Sequence, residues 1–466
     1  MSERGRRNMF EQFRKECGIT ARSILFLILC AVLAGMYFAQ YRDDVKEDLV
    51  QAQKGILFEE TRWGGTNNNL LVKPVPGMEG YGSTYAEVPE QVRRNMTYRL
   101  YRDIANNRYD TYRLRFFLTH KSLKFEDRQR MLAIFERITG MSYYELDADI
   151  YRMDLKKILD ERNMSEKQAK EYLRQEYHKQ LRNEFIPDRS VARLYEYENY
   201  MPVNENQTYQ QFKKGIAEIR KIIGGRPVAY MNFSQYGAEP LTYEAALARY
   251  DTMIYKDKVS GAYARLFCDN MGLAAGIGPA LIAWAATASV LRRRRQAVPE
   301  YFPVRAEAEP HWIRFSSVSF VSFLPIVVLA VAATAELSSG VRPLGLSIDY
   351  FAFFAYAFVW LLPAVIFAAA AGIFSAVLTN RPIGLVIPFA VWLWSAMPWS
   401  ENGLTGIKYG ANLILRHGVV GEYEVYHASL GGILMNRAAY TLIAFALIAV
   451  AWLIEKNETE EIHSVK

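Results

Sequence analysis

The chain holds only three cysteines in 466 residues, Cys17, Cys30 and Cys268. None lies between residues 41 and 260, so the large polar part of the chain must fold without disulfides, and no metal-ligand spacing exists among them. A phosphate-binding loop of the GxxxxGKS/T type is also missing, which excludes ATP binding by that route. There is no HExxH, and the histidines (His120, His178, His311, His417, His427 and His463) are scattered. The apolar runs lack charge at their centres, with Asp269, Glu336 and Asp349 falling near expected outer ends. Ionisable groups at depth mark ion or proton paths. Their lack argues against a proton- or sodium-coupled carrier and against an intramembrane protease. An active membrane machine of this composition takes its energy from another chain, so no enzyme activity is expected here.

What the chain does have is two unlike parts whose average disguises them. Residues 41–260 are densely charged and rich in Tyr and Arg, whereas 261–455 are mostly Ala, Val, Leu, Ile, Phe and Gly. Net charge is +7, and much of the excess sits beside apolar runs: Arg4, Arg6, Arg7, Arg14, Lys15 and Arg22, then Arg292, Arg293, Arg294 and Arg295. That placement is the positive-inside bias of a polytopic membrane protein, not a nucleic-acid footprint.

Residues 1–22 read as a cytoplasmic amphipathic helix in the interface, because Met9, Phe10, Phe13 and Cys17 recur at helical spacing. The run 23–40 follows as an uncleaved first transmembrane helix, since the basic leader is long and no A-x-A site is clean. It delivers residues 41–260 to the outside as a mostly helical extracellular domain. Ser165-Glu166-Lys167-Gln168 and Thr208-Tyr209-Gln210-Gln211 match the capping box, and Gly224-Gly225 stops the second of these helices. The segment from Glu59 to Pro89 repeats Gly, Asn and Pro and reads as loops or short strands.

Residues 261–455 hold transmembrane helices 2–6: about Leu266–Leu291, Phe315–Leu337, Tyr350–Leu378, Ile383–Trp399 and Gly432–Ile454. Residues 456–466 are a cytoplasmic tail. Between the fifth and sixth runs, Ala411-Asn412-Leu413-Ile414-Leu415 is apolar enough to dip back toward the membrane. The fold class expected is therefore mainly α: six spans in the cell membrane, both termini cytoplasmic, with a mostly helical extracellular domain between spans 1 and 2.

The cytoplasmic hairpin 292–313 stands out. Arg292 to Arg295 anchor its topology, and Pro299, Pro303 and Pro310 hold it in short, stiff pieces. Glu300, Tyr301, Arg305, Glu307 and Trp312 are the residues suited to couple it to a partner through charge-assisted and aromatic contacts.

The order of elements resembles the ABC-2 type permeases, membrane subunits of many bacterial ABC transporters. Ala264-Arg265-Leu266-Phe267-Cys268-Asp269 is similar to that family's entry to span 2. Arg292 to Arg295, Glu300 and Arg305 are similar to its charged hairpin. Asn412-Leu413-Ile414-Leu415-Arg416-His417 and Asn436-Arg437 resemble segments before span 6 in members with a large outer domain. After the hairpin Arg the family often has Pro-hydrophobic-Ser-Ser, where this chain has Ala306-Glu307-Ala308-Glu309-Pro310.

The resemblance implies a transport subunit, an exporter by preference, paired with a second permease subunit and driven by a separate ABC ATP-binding subunit that holds the ATP and Mg. This chain would then carry no cofactor of its own. Its partners would be these subunits and membrane lipid, with no nucleic acid. The competing reading is a membrane sensor whose outer domain binds a ligand and signals inward without transport.

Overall fold

The computed structural model describes residues 3–60, 66–113, 117–162, 164–173, 201–296, 311–379, 381–396 and 408–464, and the chain is mainly helical. It forms two compact units. One comprises residues 1–57, 69–74 and 247–466; the other comprises 58–68 and 75–246.

The first unit begins with α1 (Glu3–Ala21), α2 (Ile24–Met36), one wide turn over Tyr37–Tyr41, and α3 (Arg42–Gln53). Ser23 caps α2, its hydroxyl accepting from Phe26 N at 3.2 Å. Leu29, Leu33, Tyr37 and Tyr41 are buried along one face while Ile24, Leu27, Ile28 and Val32 are exposed. A helix apolar all round with one packed face suits a lipid solvent on the other. The first apolar run was expected to end at residue 40, but the helix continues to Gln53. Val45, Leu49 and Ala52 extend the buried face of α2 and keep α3 in the same core. Residues 69–74 also return to this unit: Leu71 is buried and the Asn69 amide donates to Asp48 O at 2.7 Å.

The second unit starts with the short strands β1 (Phe58–Glu60), β2 (Thr66–Asn68) and β3 (Ser83–Tyr85), the Gly-, Asn- and Pro-rich stretch expected to be loops or strands. Then come α4 (Pro89–Asn106), β4 (Tyr109–Arg113), β5 (Phe117–Lys121), α5 (Phe125–Thr139), α6 (Tyr143–Arg162) and α7 (residues 166–173). Val92, Met96, Leu100 and Ile104 recur every four residues on α4 and face a core completed by Met131, Ile134, Phe135 and Ile138 of α5. The unit closes with α8 (Tyr209–Ile223), β6 (Arg226–Pro227) and β7 (Ala238–Pro240). Thr208 and Gln211 form the expected reciprocal capping box at the start of α8, and Gly224, at φ 68°, ends it. Ser165 and Gln168 make the other expected box. A Cβ at Gly215 would lie 2.6 Å from Ile138 Cγ2, so this glycine sets how closely α8 approaches α5. β4 is central in a three-stranded sheet of order β5-β4-β6, and β3 pairs with β7.

α9 (Tyr243–Asp251) leads back into the first unit, followed by a wide turn over Thr252–Lys256. α10 (Ser260–Ala275) and α11 (Gly278–Gln296) together make the second apolar run, broken at Gly276-Ile277. α12 (His311–Val341) is the third. α13 (Ala352–Tyr356), a wide turn over Ala357–Leu361 and α14 (Leu362–Thr379) form the fourth; then come α15 (Val386–Ala396) and the 42-residue α16 (Tyr423–Ser464). Among the described residues, five helical stretches are long and apolar enough to cross a membrane: Ile24–Gln53, Ser260–Arg293, His311–Leu344, Ala352–Thr379 and Tyr423–Asn457.

The fifth of the six expected spans is described only in part. Pro382–Ala396 is a shorter apolar helix, and the remainder of the expected run to Trp399 lies outside the described residues. The far end of this helix is met by the apolar loop expected to dip back.

Candidate functional site: a loop caged by buried charge

The loop 408–422 runs between α15 and α16, and its apolar stretch Leu413, Ile414 and Leu415 is buried. Irregular backbone buried among apolar helices must have every polar group satisfied, because an orphan in a low-dielectric setting costs several kcal/mol. Side chains from four helical segments supply partners.

On α15, Ser395 Oγ accepts from Leu413 N at 2.9 Å, and Lys408 Nζ reaches back to the last α15 carbonyls, Trp394 O and Ser395 O. From the wide turn at 357–361, Trp360 Nε1 donates to Leu415 O at 3.3 Å. On α16, Asn436 and Arg437 both donate to Asn412 O, and Arg437 Nη2 donates to Leu413 O at 3.0 Å. Arg437 Nη1 adds Trp360 O at 2.9 Å. Among the described residues, the partners of this buried guanidinium are carbonyls, not carboxylates. On α10, Asp269 accepts from His417 N at 2.8 Å and from Gly418 N. Within the loop, Lys408 and Arg416 exchange backbone hydrogen bonds.

A fully buried ion pair closes the end of the loop. Arg265 on α10 forks onto Asp257, Nη1 to Oδ1 at 2.8 Å and Nη2 to Oδ2 at 2.5 Å, and also donates to Gly421 O at 3.3 Å. Its guanidinium lies 4.7 Å from the Tyr426 ring centroid and 5.9 Å from that of Tyr356. Asp257 follows directly on the wide turn at 252–256, whose extra residue re-aims the chain. Two of the three wide turns thus deliver a cage residue. Gly261 is required beside this pair, since a Cβ there would lie 2.4 Å from Asp257 Oδ1.

Between Asp257 and α10, Lys258 and Val259 both adopt positive φ, 51° and 58°. For a β-branched residue that is a strained conformation, held only because its surroundings over-determine it. At the loop's other end Glu422 also has φ 51°. The cage is flanked by strain on both sides.

His417 sits at its centre, fully buried. Its Nε2 lies 2.7 Å from Gly421 O, which can only accept, so Nε2 carries the proton and Nδ1 accepts from the Tyr409 hydroxyl.

Among the described residues there is no group of three or more His, Cys, Asp or Glu side chains placed to hold a metal ion. What the arrangement does chemically is hold an irregular segment rigidly inside an apolar array. Of the five residues expected to couple to a partner, Trp312 is the one described. Glu300, Tyr301, Arg305 and Glu307 fall outside the described residues, as do the side chains of Arg294 and Arg295. Arg292 lies 6.0 Å from the Trp284 ring, and Trp312 stacks on Phe445 at 6.1 Å.

Arg265, Asp269 and Arg437 are buried within helices, a role that their places near the expected outer ends of the apolar runs did not reveal. The available signal was the i,i+4 spacing of Arg265 and Asp269 and a lone Arg437 in an apolar run, since buried charge inside such helices is costly and demands partners. No protein-family model, curated protein or solved structure matches the chain.

Proposed function

We propose that this chain is the permease subunit of an ATP-driven exporter of the ABC-2 type, paired with a second permease subunit and energised by a separate ATP-binding chain. In this reading both termini are cytoplasmic and residues 41–260 lie outside. α1 rests in the inner interface, and the sixth crossing is made jointly by Pro382–Ala396 and the returning loop.

The observation that carries the reading is a convergence. Three segments resemble the permease family separately: Ala264–Asp269, Asn412–His417 and Asn436-Arg437. They are far apart in sequence, yet Asp269 binds His417 N, and Asn436 and Arg437 bind Asn412 O. Chance matches would have no reason to meet in one network. A short helix completed by a caged loop also makes a natural gate, because non-helical backbone at depth is tolerated where it is enclosed by protein or lines a path.

The test is purification in a mild detergent or nanodisc. A distinct ATP-binding subunit is expected to come down with this chain, and Glu300→Gln with Arg305→Gln to weaken that association by at least about tenfold, as truncating one side of a buried charge pair costs roughly 2–5 kcal/mol. Recovery of the chain with no ATPase under conditions that preserve membrane complexes would overturn the reading.

A further inference from the structure

α1 has two faces with different partners. Phe13, Glu16, Cys17 and Thr20 recur at i, i+3, i+4 and i+7 and form the covered face, which packs on α12. Phe13 meets Phe320 at 6.1 Å between ring centroids, and Glu16 Oε2 lies 3.6 Å from Arg314 Nε. Arg314 stands in the first turn of α12, directly after the hairpin. The opposite side carries Arg14 and Lys15 on α1 and Arg22 just past its end, all exposed, with Glu11 an acid on the same side. Flanking it, Phe10 is 67 % and Ile19 53 % exposed. Those two bulky apolar side chains border a net positive stripe beside helices built for a bilayer.

We propose that this outward face of α1 seats on anionic lipid headgroups, and that the lipid contact sets how firmly α1 grips the first turn of α12 through Glu16–Arg314 and Phe13–Phe320. Charge complementarity selects the occupant: cations with adjacent apolar side chains match the headgroup and acyl boundary of an anionic bilayer, where each cation contributes on the order of a fivefold gain in partition. An acidic protein would match the charges but leave Phe10 and Ile19 without an apolar partner. The consequence is regulatory, because the anionic lipid content of the inner leaflet would be felt at the exit of the hairpin. The inference rests on α1 lying at a membrane surface and not on the presence of an ATPase, so it stands or falls apart from the transport reading.

Cys17 is a built-in reporter, half-buried on the covered face of α1. The full chain is placed in nanodiscs of phosphatidylcholine alone or with phosphatidylglycerol, and maleimide labelling of Cys17 is followed by peptide mass. Phosphatidylglycerol is expected to slow labelling several-fold. The effect should vanish in the triple variant Arg14→Gln/Lys15→Gln/Arg22→Gln and survive in Arg14→Lys/Arg22→Lys. It should also weaken from 0.1 to 1 M salt, as the screening length falls from about 10 to about 3 Å. Equal labelling rates in the two lipids would overturn the proposal, and would be the outcome if the stripe served an acidic protein instead. A full lipid effect in the triple variant would overturn it equally.

Discussion

Arg265→Met is expected to destabilise the helical unit by about 3–5 kcal/mol, read as a large fall in the unfolding midpoint of the purified chain in detergent. Both partners of the Arg265–Asp257 pair are buried, with side-chain exposures of 0 % and 2 %. Removing the guanidinium strands a carboxylate with no access to water. It also leaves Gly421 O without one of its two donors and empties the space between the Tyr356 and Tyr426 rings. The decisive comparison is the double variant Arg265→Met/Asp257→Leu. If an uncompensated charge is the main cost, the double variant recovers most of the lost stability, because replacing a buried pair by apolar groups is often near neutral. If it is as unstable as the single variant, the cage depends on the geometry of the fork and its carbonyl contact instead.

Gly372→Ala should be nearly as costly for a different reason. On α14, Ala368, Gly372 and Ala376 form a small-residue stripe that lets two helix backbones approach closely. A Cβ at Gly372 would lie 2.2 Å from Ala280 O and 2.9 Å from Ala280 Cα, which is backbone and cannot swing aside. α11 and α14 must separate to admit it, at a cost of about 1–3 kcal/mol or more. Gly35→Ala in α2 is the control, because a Cβ there meets nothing within 4 Å. That change should be neutral or slightly stabilising, since Ala is the better helix former by about 1 kcal/mol. Equal midpoints for the two variants would mean that α11 and α14 are not held at this spacing.

Local features were legible in the chain before any coordinates. The Thr208 and Ser165 boxes and the Gly224 stop depend on neighbours within four residues, so local chemistry suffices to place them. Long apolar runs announced themselves by composition, and the Arg292 side of the hairpin by its charge. Their ends were less readable. α3 continues a helix past residue 40 because its buried face matches that of α2, which a change from apolar to charged composition conceals.

Sequence alone determined that this is a mainly helical chain with long apolar segments, a separate polar unit folded without disulfides, and no local catalytic or nucleotide-binding motif. Each of those properties is written in composition or short-range spacing. Only the tertiary structure decided that Asp257, Arg265, Asp269, Trp360 and Arg437 form one site. Asp257 holds Arg265, and the other four bind backbone carbonyls or amides of residues 412–421, which carry no signature in sequence. The apolar loop and the buried charges each look misplaced when read alone. Burial makes them necessary to one another, because the charges satisfy the loop's backbone and the loop gives the charges their partners.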